Sequence, residues 1–428
     1  MYAKVRVLLI IHTTTETKSS MYRFVKITNY YKAFLASCYA EHPAMSAATY
    51  GEQLHFLLSK RFGWSDYYSV HLRELGADAH EMIANAESMQ RAWAVEHGVQ
   101  GSLDEILFMQ LEKLKPEVVF LQDSIRFSGE WIDEMRRRVP SVRYVIGWYC
   151  SPMTQQQEEA LRGCDAIFCC SPFFVEKLTA RGYRAILQRH AFEPAILQEI
   201  SSMSGKISDL IFIGSLFAGA EGHGMRQSVL QSLIQSGILI DLFVNVESLS
   251  EADFIKRRLA YLVAHSLRKA GLVSVAKKIP GLKKGLLLWE YPKRPVGIKE
   301  ILMKAKPPVY GREMFQALAS SRMVFNYHGN ASGPFAANIR LFEATGVGSC
   351  LVTDWKQDLR DLFDLDSEIV AFRSPEECVE KIRWLVDHPK ELQSIAERGQ
   401  QRTLRDHSYA RRAEVLHSHI VQFLYKKA

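Results

Sequence analysis

The chain has 428 residues, 47% of them apolar and 24% charged, with a formal net charge of +7. That balance excludes fibrous and disordered classes, and the length favours two domains with cores of their own. No apolar run approaches the roughly 20 residues that cross a bilayer, and the short "VLLII" leads into a polar Thr run rather than a cleavage site, so a cytoplasmic location is expected.

In chain order, residues 1–20 hold the run "KVRVLLII", which is either an extra edge strand or an extension, because "RFVKIT" already makes a sensible first strand. "EVVFLQ", "RYVIGWY", "DAIFCC" and "RAILQRH" follow as strands, with helical patterns in "SAATYGEQLHFLLSKRF" and "LDEILFMQLEKL" between them. Small and polar residues in "SSMSGKISD" break the pattern near residue 203. Beyond it, "DLIFIG", "ILIDLFVN", "MVFNYH", "SCLVTD" and "EIVAF" read as strands. The last stretch, from "SPEECVEKIRW" onward, reads as three helices, with Ser374 and Glu377 as a capping box and Pro389 opening the second. The alternation predicts an α/β protein of two doubly wound parallel units, residues 1–203 and 204–428.

The positive charge is local. Residues 251–306 carry fourteen Lys and Arg against four Asp and Glu, and the Pro and Gly residues of "KKIPGLKKG" and "YPKRP" mark this segment as an insertion. Two readings stand side by side: a solvated helical face, or a surface resting on anionic headgroups at the inner face of a membrane. No nucleic-acid motif accompanies the charge, so nucleic acid is not an expected partner. Seven cysteines without a C-x-x-C spacing, two of them inside the apolar "AIFCC", read as buried reduced thiols, and neither a disulfide framework nor a metal site is expected.

The chemistry concentrates in "FNYHGNASGPFAANIRLFEATGVGSCLVTDW", residues 325–355. Ligands of parallel α/β sheets bind at the carboxyl ends of strands, and a small-residue loop there lets backbone approach a phosphate. Asn338 and Arg340 offer donors to a phosphate or sugar, and Glu343 an acceptor suited to paired hydroxyls. Glu343 equally suits an ion pair with Arg340 at i,i+3, with Gly346 and Gly348 capping the helix. His328 follows a strand, where its imidazole can donate to a diphosphate oxygen or serve acid–base chemistry; a structural His is the alternative.

"RLFEATGVGSCLVTD" resembles the nucleotide-sugar element of GT-B glycosyltransferases of the group 1 type. Together with "YGREMFQAL", "FIGSL…HGMR", "GEQLHFLLSKRFGWSDYYSVHLRELG" and "QRAWAVEHG", it is similar to the spore-maturation-protein-like branch of that family over residues 22–420. The resemblance implies two Rossmann-like domains facing across a cleft with C-terminal helices, the first domain taking the acceptor and the second a nucleotide diphosphate sugar. It gives Glu343 the ribose, with Gly346 beside it, and puts Phe335 where the family's sugar-binding Glu stands. "FIGSLFAGAEGHGMR" resembles the family's diphosphate element, but Ser215 follows Gly214 where the family often has an Arg, so Arg226, with His223 second, is expected to supply the missing charge. Lys306 is a further candidate cation, or a solvated charge.

Glu52 and Asp66, in family-like blocks, are candidate bases for an acceptor hydroxyl; a helix-face Glu and an N-cap Asp are the plainer readings. Tyr30 and Tyr31 line the acceptor pocket or pack between domains, and "HAFEP" forms part of the cleft wall. Without an obvious Asp-x-Asp metal motif, the expected reaction is metal-independent and cofactor-free: transfer of a sugar to a saccharide or lipid-linked acceptor of cell-envelope or surface-polysaccharide type. The rivals are a nucleotide-sugar epimerase or phosphorylase on the same fold, and a non-catalytic nucleotide-sugar-binding protein.

Overall fold

The computed structural model describes residues 21–153, 158–200, 206–217, 223–247, 251–270, 298–329 and 331–425. The expected strand at 4–11 and residues 271–297 of the basic insertion lie outside them. Short β-branched and aromatic runs bounded by turns become strands of a first sheet: β1 (Arg23–Thr28), β2 (Asp78–Ile83), β3 (Val118–Leu121), β4 (Tyr144–Tyr149), β5 (Ala166–Cys169) and β6 (Ala185–Leu187). All pair in parallel in the order β2-β1-β3-β4-β5-β6. The central strands β3, β4 and β5 are buried on both faces, which is why they read as unbroken apolar runs.

Strand β2, "DAHEMI", carries no such run, and the sequence reading passes over it. It lies at the sheet edge, where Glu81 turns inward to sit 3.3 Å from Lys26 Nζ, with both side chains buried. Lys26 also donates to the Ser65 carbonyl at 2.6 Å, and Ser69 to Glu81 at 2.5 Å, so the buried charges are hydrogen-bonded.

A second parallel sheet holds β7 (Ser208–Phe217), β8 (Asp241–Glu247), β9 (Ala305–Lys306), β10 (Ser321–Asn326), β11 (Cys350–Asp354) and β12 (Val370–Phe372), in the order β12-β11-β10-β7-β8-β9. The two sheets divide between Leu187 and Ser208. The final helices span Pro375–Asp387, Pro389–Asp406 and Tyr409–Tyr425. Ser374 accepts the Glu377 N–H at 3.2 Å, while the Glu377 carboxylate takes the Arg373 N–H, so the reciprocal arm of the box lands one residue early. The last helix returns to the first sheet. Phe423 stacks on Tyr144 at 3.9 Å, Tyr22 Oη meets His417 Nδ1 at 2.9 Å, and Arg143 donates to the Leu424 carbonyl.

The carboxyl edges of the two sheets face each other. Past β1, Tyr31 packs edge-on against Tyr310 of the second domain, in an aromatic cluster that includes Tyr30, Phe34 and Phe62. Of the two sequence readings, Tyr31 thus shows interdomain packing, while Tyr30 packs within the first domain against Phe34 and Phe62. Beside it the helix Gly311–Ala319 begins against Lys60, whose carbonyl accepts the Arg312 N–H at 3.0 Å. Gly311 has φ +54°, and a Cβ there would stand 2.0 Å from the Lys60 oxygen, so no other residue fits.

The expectation of reduced thiols needs correcting. Cys150 and Cys170 form a disulfide, while Cys169 stays free and buried. Tyr149 of β4 pairs with Cys169 of β5, so the next residue on each strand falls side by side. Parallel register, rather than sequence spacing, makes the pair.

Candidate functional site

The donor-side candidates gather at the carboxyl edge of the second sheet. Arg226, on the helix His223–Gln235, donates to the Ser215 carbonyl at the end of β7 (3.0 Å) and to the Tyr327 carbonyl just past β10 (2.7 Å). It thereby ties two strand ends together with a cation. Burial pulls its pKa down and the Asp354 carboxylate opposes that pull. Gly214 lies under the ring of Phe212, with no room for a side chain. The residues before the helix and the His223 side chain lie outside the described structure; His223 itself is the first helical residue.

His328 is buried in the loop after β10. Its backbone N–H donates to Asp354 at 2.6 Å, and its Nδ1 accepts the N–H groups of Ala337 and Asn338 at 3.4 and 3.3 Å. An Nδ1 that accepts places the proton of the neutral ring on Nε2. Burial, the largest influence, lowers the His328 pKa and keeps the ring neutral. Nε2 is buried with no hydrogen-bond partner among the described residues, and so presents an unused N–H.

Asn338 donates to Asn326 at 2.8 Å and accepts the Arg340 N–H at 3.0 Å, so it shapes the turn into the helix Arg340–Gly346. Glu343 is 5% exposed, and its carboxylate lies 2.8 Å from Arg340 Nη1. The i,i+3 ion pair is therefore present, on the same carboxylate that the family resemblance gives to ribose. Burial raises the Glu343 pKa against the pull of Arg340. A Cβ on Gly346 would reach within 2.2 Å of the Phe192 ring, so this glycine admits the interdomain linker. Phe335 closes a turn with Ser332, whose hydroxyl donates to its carbonyl.

Other candidates stand apart. Lys306 pairs with Asp241, which starts β8, so it belongs to the amino-terminal half of the sheet, away from the edge that holds Arg226 and His328. Glu52 is exposed and closes a capping box: its carboxylate accepts from Thr49 N and Oγ1 at 2.9 and 2.7 Å, which holds its pKa down. Asp66 precedes the helix Tyr67–Glu74 without capping it and pairs instead with Arg61 at 2.9 Å. It lines a groove of about 560 Å³ that runs along edge strand β2.

Several residues at the cleft are not among the site residues expected from the sequence. Lys356, 6% exposed, lies 3.5 Å from Asp354 and donates to the Gly329 carbonyl at 2.6 Å, pinning the loop that bears His328. Arg189, ahead of "HAFEP", donates to the Ala336 carbonyl at 2.7 Å and to Asp358 at 2.6 Å. Within "HAFEP", Glu193 bonds His71 Nε2 at 2.9 Å. On the facing sheet, Asp123 follows β3, bonded by Asn29 at 3.4 Å, and burial raises its carboxyl pKa. The rule that placed His328, a polar residue just past an apolar strand, also finds "LVTDWKQD" and "VVFLQD". The sequence does hold one Asp-x-Asp triplet, residues 364–366; it lies in a turn where Asp366 pairs with Lys381 at 3.0 Å.

Two parallel six-stranded sheets, carboxyl edge to carboxyl edge and closed by a returning last helix, define the GT-B architecture. Residues 263–418 match the family model described as "Glycosyl transferase-like". The chain thus carries a transferase-type domain on that scaffold. It is similar over its length to the HepE protein of Anabaena in complex with UDP-glucose, at 9% identity and TM-score 0.53, covering 94% of this chain and 100% of that one. Sucrose-phosphate synthase from Thermosynechococcus elongatus gives 8% and 0.50, covering 95% and 100%. A glycosyltransferase from Rickettsia africae gives 7% and 0.50, covering 95% and 99%. No curated protein matches the chain.

Proposed function

We propose that the protein is a glycosyltransferase that moves a sugar from a nucleoside diphosphate sugar, held by residues 204–428, to an acceptor hydroxyl held by residues 1–203. The observation that carries the reading is the unused Nε2–H of His328, buried at the carboxyl edge of the second sheet in the loop reached by Arg226. In the reaction the bond from the anomeric carbon to the diphosphate oxygen breaks, and the leaving group takes the electron pair. The acceptor oxygen bonds the anomeric carbon and loses its proton. Arg226 and His328 Nε2–H are fixed donors suited to the charge that grows on the diphosphate, and they need no metal ion to act.

Glu343 takes the ribose hydroxyls, with Arg340 beside it opposing the upward pull of burial on its pKa. Asp123 is the proposed acceptor-side base in place of Glu52 and Asp66, because a carboxylate with a raised pKa at the facing strand end is the better proton acceptor. The block order of the sequence supports a spore-maturation-protein-like branch, and UDP is the first nucleotide to try, since HepE is solved with UDP-glucose.

A lipid-linked acceptor has separate support. The helix Glu251–Lys269 exposes Ile255, Leu259, Leu262 and Val263 at helical spacing amid its Lys and Arg residues, the pattern of a helix that rests on anionic headgroups. Among the described residues no helix is long and apolar enough to cross a membrane.

One second reading has an observation in its favour. Arg340 on Glu343 and Phe335 at the sugar position suit a nucleotide-sugar-binding protein without turnover. Thermal shift against UDP, GDP, CDP and dTDP sugars tests both readings. One donor should stabilise the wild type, by about 2.7 kcal/mol at one hundred times its Kd, and Glu343→Ala should lose that gain. An unchanged gain in the variant sinks the ribose assignment. Release of the nucleoside diphosphate only when acceptor extract is added separates transfer from epimerisation and from mere binding.

A further inference from the structure

Three successive strands of the first sheet each deliver one metal-ligating side chain just past their carboxyl ends: Cys150 after β4, Cys170 after β5 and His190 after β6. Cys150 Sγ lies 3.2 Å from His190 Nε2, and one ligand atom from each of the three residues falls within 4.8 Å of the others. A tetrahedral zinc site separates its sulfur and nitrogen donors by roughly 3.5–3.8 Å, from bond lengths near 2.3 and 2.0 Å. The Cys150–His190 distance is slightly shorter than that spacing, and the sulfur pair is much shorter because it is bonded in the disulfide. The cluster is also one of the places where the domains touch, since the Ala337 carbonyl stands 3.7 Å from Cys150 Sγ.

We propose that Cys150, Cys170 and His190 form a redox-gated site for a thiophilic divalent cation such as zinc, filled when the disulfide is reduced and closed when it is oxidised. Reduction takes two electrons and two protons. A phosphine supplies the electrons and becomes its oxide, with water giving the oxygen and the protons. Binding then releases both thiol protons as the sulfurs coordinate as thiolates. Two thiolates neutralise the ion, and one imidazole leaves a position open to solvent or to a group from the second domain. The site lies across the cleft from Arg226 and His328, so it adds to the transfer reading without entering its chemistry.

Cobalt(II) serves as the probe, because thiolate coordination gives it an intense sulfur-to-metal absorption. The full-length chain, reduced anaerobically with a phosphine, should take one equivalent and develop that band. The oxidised chain should take none. Cys170→Ser should weaken binding at least tenfold and reduce the band, and His190→Ala should weaken it at least tenfold at an unchanged thiol count. The other cysteines are buried or half-buried on separate elements and make little background. A reduced wild type without the band overturns the proposal, as does a full band in Cys170→Ser or in the oxidised chain. The oxidised and reduced wild type alone decide the matter if a variant fails to fold.

Discussion

His71 gives the most direct reading of how the linker is fastened. Its Nε2 meets Glu193 of the linker at 2.9 Å and its Nδ1 meets Glu74 at 2.8 Å. The Glu193 hydrogen bond is the largest single contribution raising the His71 pKa, which stands at about 9 against 6.5 unperturbed. At about 1.4 kcal/mol per pH unit, that difference sets a ceiling of about 3 kcal/mol. The Glu74 arm is solvent-exposed and worth little, which leaves about 1.5–2 kcal/mol. Because the folded pKa is the higher one, the stabilisation is complete below pH 6.5 and is lost as pH rises through about 9. His71→Gln should therefore melt about 3–8 °C below the wild type at pH 6, on the usual scaling for a domain of this size, and level with it by pH 10. Differential scanning fluorimetry across that range makes the test. A gap that stays constant with pH would show that His71 acts by packing alone and refute the linkage argument.

Three further outcomes follow from the site. Asp123→Asn should lower kcat by about 100-fold and abolish the acid limb of the pH profile, a limb that in the wild type stands above the ordinary aspartate range because burial raises this carboxyl; an unchanged profile removes Asp123 as the base. Arg189→Ala leaves Asp358, 4% exposed, without its cation and should cost about 3 kcal/mol, read by chemical denaturation, whereas a loss under 1 kcal/mol would mean that Asp358 finds another partner. Cosedimentation with vesicles should show binding to anionic lipid that fades at high salt, and none to neutral lipid; equal binding to both would remove the headgroup reading of the Glu251–Lys269 helix.

The sequence exposed the central strands because each is buried on both faces and must be apolar throughout. Strand β2 escaped because an edge strand tolerates Asp78, His80 and Glu81, and the reason Glu81 points inward is Lys26, fifty-five residues away. Glu52 was legible in a different sense: Thr49-x-x-Glu52 is a capping-box pattern, and the fold uses it so. Arg226 and the ribose role of Glu343 rested on the family resemblance, whereas His328 followed from the strand-end rule. The ion pair on Glu343, the Arg189 strap and the disulfide did not, since each depends on which strand ends and loops lie face to face.

The returning last helix settles the order in which the molecule can be completed. Tyr22 and Tyr144 of the first domain meet partners at His417 and Phe423, so the first domain is sealed by residues that follow the second domain in the chain. A fragment ending at the domain boundary would leave those surfaces bare, and the first domain must wait for the helix Tyr409–Tyr425 before it reaches its final packing.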